Sequence, residues 1–109
     1  MDREDPGAVG AVGPAGPQGP AGVSGLQTVR VDRIDYAPSD DVLFTMRATC
    51  PSGKKVLGGG HWFSIWNRAD VYQSFPEDEQ TWRISVSLDF SGISAGSIVS
   101  RVYALCATA

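Results

Sequence analysis

The chain has 109 residues, a formal net charge of −3, one histidine and two cysteines. That length holds one domain, the mild acidity argues against a broad basic surface for nucleic acid, and no apolar run approaches the ~20 residues of a membrane-spanning helix. A lone histidine, scattered carboxylates and no nucleophile motif point away from an enzyme.

Residues 1–6 form a short charged arm, Asp2, Arg3, Glu4 and Asp5. It is either a solvated tail or an anchor peptide that docks the protein on a larger particle. Residues 1–12 lack a basic start followed by an apolar stretch, so no secretory leader is expected.

Residues 7–27 read GAV GAV GPA GPQ GPA GVS GLQ. Gly7, Gly10, Gly13, Gly16, Gly19, Gly22 and Gly25 keep a strict period of three. Three polyproline-II chains wound together leave room for only a hydrogen atom at the axis, so this period predicts a collagen-like triple helix and a homotrimer. The alternative is a flexible Gly/Pro-rich linker that falls in phase. Pro14, Pro17 and Pro20 each follow a glycine and pre-set the extended backbone, but no triplet has proline in its third place. So short and proline-poor a stalk should be marginal alone, and residues 28–109 are expected to clamp it.

From Leu26 the period changes from three to two, the strand period. Val29 and Val31 alternate, then Ile34 and Tyr36 resume one step out of phase, which predicts a bulge near Asp32-Arg33. A turn cluster at 37–41 precedes clean alternation through Val42, Phe44, Met46, Ala48 and Cys50. Strands are expected over 54–60, 61–66 and 71–75, then after an acidic loop through Trp82, Ile84, Val86 and Leu88. Residues 98–107 close the chain and look apolar on both faces, as a central strand does. About seven strands without helical periodicity predict an all-β domain, an antiparallel, jelly-roll-like β-sandwich behind the stalk.

Cys50 and Cys106 fall on inward phases of strands. A disulfide between neighbouring strands is expected; it would close a loop of about 56 residues and stabilise by roughly 4 kcal/mol in the chain-entropy model. Two buried thiols are the alternative. One histidine and no CxxC pair leave no metal or other cofactor to expect. His61, after Gly58-Gly59-Gly60, reads as a partly buried structural residue, or as one of three copies meeting on a trimer axis. The glycine run lacks the order of a phosphate loop and predicts a bulge or a close approach of neighbouring chains. Trp82 is in phase with core residues. Trp62 and Trp66 are expected to share one strand face, at a subunit interface or as a platform for sugar rings.

The stretch CPSGKKVLGGGHW at 50–62, followed by VYALCA at 102–107, resembles a small β-domain found behind collagen-like repeats in phage and actinobacterial proteins. The resemblance spans roughly residues 7–109. It implies a trimeric structural or adhesive protein on a particle surface, exposed after host lysis, and it carries over no catalytic residues. The spore exosporium glycoprotein is similar in plan, but its triplets are usually rich in threonine and these have none. The expected function is therefore a virion decoration protein, head fibre or tail-fibre component. A module binding host-surface glycan and a spore-surface protein are the alternatives.

Overall fold

The computed structural model describes residues 23–108. The arm and the glycines from Gly7 to Gly22 lie outside them. Six strands follow one another: β1 Ser24–Tyr36, β2 Val42–Thr49, β3 Lys55–Phe63, β4 Ala69–Pro76, β5 Thr81–Leu88 and β6 Ser97–Thr108. They form two antiparallel three-stranded sheets, β1-β6-β3 and β2-β5-β4, packed as a sandwich.

Alternation builds the core. Phe44, Met46 and Ala48 of β2 and Ile84, Val86 and Leu88 of β5 face Ile98, Val102 and Ala104 of β6, all buried. Phe90, in the β5–β6 loop, is also buried and closes one end; its backbone N–H donates to Asp41 Oδ1 at 3.1 Å. Ile84 and Leu88 are wholly inaccessible, and truncating either to alanine would cost about 2–5 kcal/mol.

Four expectations are corrected. First, residues 54–60 and 61–66 are not two strands. Lys55–Phe63 is one strand, and the chain then tightens into a 3-10 turn at Trp66–Arg68. The described residues thus have six strands, not seven, and fall short of the eight of a full jelly roll.

Second, β1 has no bulge at Asp32-Arg33. It pairs with β6 without interruption from Gln27↔Cys106 to Tyr36↔Ser97, and the irregularity lies between Ser24 and Gln27. The inward phase past Val31 is held by Arg33 and Asp35. Arg33 donates to both Asp35 carboxylate oxygens, the shorter at 3.0 Å, and its guanidinium lies 4.0 Å from the centre of the Phe44 ring. Two charges that neutralise each other occupy apolar positions, so Ile34 and Tyr36 stay on the outside, 50% and 69% exposed.

Third, β1 begins at Ser24, inside the last two triplets and ahead of Leu26, where the strand period was expected to start. Gly25 belongs to this strand and has φ +62°, a left-handed backbone unlike the polyproline geometry of a stalk.

Fourth, Cys50 and Cys106 are joined, with Cα atoms 5.7 Å apart, but not across neighbouring strands of one sheet. Cys50 follows β2 and Cys106 lies in β6, so the bond ties one sheet to the other through the core.

Candidate functional site

The outer face of β1-β6-β3 carries the unusual side chains. Register places them in transverse rows: Thr28–Leu105–Gly58, Arg30–Tyr103–Gly60 and Asp32–Arg101–Trp62. β6 is the central strand, as its two apolar faces predict. Its even residues fill the core, while Tyr103 and Leu105 remain 37% and 40% exposed.

The glycine run has two distinct jobs. Gly59 faces inward, and a Cβ there would overlap the Trp82 indole of the opposite sheet. Gly60 faces outward, and a Cβ there would run into the Tyr103 phenol. Both close approaches are to side chains of the same chain. A bulge falls there as well: the register shifts between Val56 and Gly58, with Leu57 as the extra residue, half-exposed. Trp82 sits in the half-buried layer packed on the core, its indole N–H donating to Ser74 Oγ at 3.1 Å.

In the third row Arg101 donates to both oxygens of Asp32, at 2.7 and 3.0 Å, and its guanidinium stands 5.0 Å from the centre of the Trp62 ring. The hydrogen bonds from Arg101, then its charge and that of Arg30, hold the Asp32 carboxyl below the usual carboxylate range. The same pair holds the Arg101 guanidinium above its ordinary value. A hollow of about 420 Å³ opens here, lined by Thr28, Arg30, His61, Trp62, Arg101 and Tyr103.

Trp62 and Trp66 do not share a strand face. Trp62 lies on the outer face of β3, and Trp66 lies beyond the strand in the 3-10 turn, 80% exposed. Both nevertheless border a second hollow of about 470 Å³, completed by His61, Phe63, Ala69 and Val71 at the side of the sandwich. His61 is exposed rather than partly buried; its ring centre is 5.6 Å from that of Phe63. Among the described residues no group of three or more histidine, cysteine or carboxylate side chains is placed to hold a metal ion.

Sequence reasoning missed Tyr103, Leu105, Arg101 and Asp32 as a surface. The signal was present in the double apolar character of residues 98–107. No family model, curated protein or solved structure matches this chain.

Proposed function

We propose that this chain is a structural component of a phage particle surface, a decoration protein or fibre, in which three copies wind their glycine triplets into a short stalk and carry β-sandwich heads. The observation that supports this most is glycine at every third position from Gly7, leading straight into the first strand of a head with an uncovered apolar face. Period-three glycine has a mechanical meaning only when three chains share an axis. The arm of Asp2, Arg3, Glu4 and Asp5 is the part that anchors the trimer to the particle.

Light scattering on the full chain is the test. A mass of three chains is expected, and a stable monomer or dimer overturns the proposal. Gly16→Val should abolish the triple-helix signature in circular dichroism and leave the head folded.

A second reading rests on Trp62 and Trp66. Two exposed indoles beside one hollow offer aromatic faces on which sugar rings stack, which favours a glycan-binding tip on the same stalk. Binding to an immobilised glycan panel, lost in Trp66→Ala with the trimer intact, would support it.

A further inference from the structure

We infer that the outer face of β1-β6-β3 is the seam through which three copies of this chain meet. This rests on the trimer proposed above and names the surface that makes it.

The chain path comes first. The triplets run directly into β1, which begins at Ser24. A triple helix holds three chains in register around one axis, so three copies of Ser24 leave the stalk side by side. Pairing sets Thr108 opposite Ser24, and Lys54 Nζ donates to Gly25 O at 2.8 Å and to Gln27 Oε1 at 2.9 Å. The stalk end of the head is therefore built from the start of β1, the end of β6 and the approach to β3. All three belong to one sheet.

That end of the sheet also carries exposed leucines. Leu26, Leu57 and Leu105 are 65%, 47% and 40% exposed, and Tyr103 follows in the next row. Exposed leucines gathered at one end of a sheet mark an interaction surface far better than single ones do. Gly58 adds relief, since a Cβ there would meet nothing within 4 Å, leaving a trough beside Leu105 into which a neighbour's side chain can enter. Of the charges on this face, Asp32 and Arg101 are paired within the chain, and Arg30 stands in the row between them and Leu105, beside Tyr103.

The opposite outer face offers no such surface. On β2-β5-β4, Thr45, Ser85 and Gln73 hydrogen-bond in a row across the sheet, and Glu77 takes Arg47 and Arg83. Its exposed apolar side chains, Leu43 at 72% and Phe75 at 39%, stand apart on β2 and β4, and Phe75 lies under the Arg83 guanidinium.

The experiment compares three lysine variants of the full chain, Leu26→Lys, Leu105→Lys and Leu43→Lys, by light scattering with circular dichroism as the check on folding. The expected result is a threefold fall in mass for Leu26→Lys and Leu105→Lys, with strand signal retained, and no change for Leu43→Lys. A wild-type chain that is not a trimer overturns the underlying proposal and the seam with it. A trimeric wild type whose Leu26→Lys and Leu105→Lys variants stay trimeric overturns the seam alone. Should the lysine variants fail to fold, Leu26→Cys decides: near the axis two of the three thiols join on mild oxidation by dissolved oxygen while the third stays free, so a two-chain band beside single chains on a non-reducing gel is expected, and single chains alone overturn the seam.

Discussion

On the outer face of β2-β5-β4, one row across the sheet reads Thr45, Ser85, Gln73, each hydroxyl or amide meeting the next at 3.1 and 3.0 Å. On the outer face of β1-β6-β3, the equivalent rows read Thr28–Leu105–Gly58 and Arg30–Tyr103–Gly60. The first face spends its polar groups on one another so fully that Ser85 is only 2% exposed although it points away from the core. The second leaves Leu105, Tyr103 and Trp62 exposed in successive rows, where the first leaves only the separated Leu43 and Phe75. An antiparallel sheet can keep one face wet, and then its outward residues are polar. The outer face of β1-β6-β3 breaks that pattern along its central strand, and the proposed seam accounts for the break.

The largest expected effect comes from cutting what holds the two sheets together. Cys50–Cys106 joins them across a sequence separation of 56 residues, worth roughly 4 kcal/mol in the chain-entropy model. The Cys50→Ala, Cys106→Ala double variant should lose about that much in denaturant unfolding. An unchanged midpoint would show that the packed inner faces alone join the sheets.

Next come the two adjacent glycines, which separate inside from outside within one strand. Gly59→Ala forces a methyl into the Trp82 indole in the half-buried layer and should cost about 1–3 kcal/mol, the usual range for overpacking. Gly60→Ala meets only the far end of Tyr103, a half-exposed ring that can swing outward, so its cost in stability is smaller. Its effect should instead fall on assembly, seen as weaker trimers on dilution. Equal losses of stability at both positions would erase the distinction between the faces.

Two serines then give opposite signs. Ser85→Ala removes the central member of the polar row and should cost about 1 kcal/mol, the net worth of such hydrogen bonds. Ser100 is wholly buried in the other sheet and its hydroxyl has no partner among the described residues. Ser100→Ala should therefore stabilise by up to about 1 kcal/mol, because it removes a desolvated group that gains nothing. Both are measured by urea unfolding.

These residues also show how far the sequence could be read. Alternation in 42–50 and 82–88 marked β2 and β5 because each buries one face in one core. β1 misled because its inward positions at Arg33 and Asp35 are charged, and only their pairing with each other and with Phe44 makes that tolerable. No period can report a pairing of that kind. The cysteines were legible as partners from phase, yet which sheets they joined was not, since phase tells inside from outside and not which strand lies opposite. The site was half legible: the double apolar character of 98–107 marked the central strand, but the rows that set Leu105 beside Gly58 and Tyr103 beside Gly60 exist only once the strands are in register.

The smallest effect concerns Asp32 and sharpens the comparison most. Its carboxyl is held below the usual value chiefly by the Arg101 hydrogen bonds. A folded-state value below the unfolded one, about 3.9, means that the ion pair contributes fully above that pH and is lost as pH falls through the folded value. Asp32→Asn should therefore lower the thermal midpoint slightly at neutral pH, and the difference from wild type should vanish in acid. Asp89, lowered by its hydrogen bonds with Ser91, keeps its own acid dependence in both proteins and cancels. In a dilute, dissociated chain the pair is half-exposed and screened, so the effect is slight. In a trimer that closes over this face, water and salt are kept out, and the same substitution should matter more as protein concentration rises. Glu77→Gln is the matched control, because Glu77 pairs with Arg47 and Arg83 on the face that stays open. Its effect should not depend on concentration. Thermal melts of both variants at two concentrations and a series of pH values make the measurement. If Asp32→Asn proves as indifferent to concentration as Glu77→Gln, the outer face of β1-β6-β3 is open in solution and the contrast between the two faces has another cause.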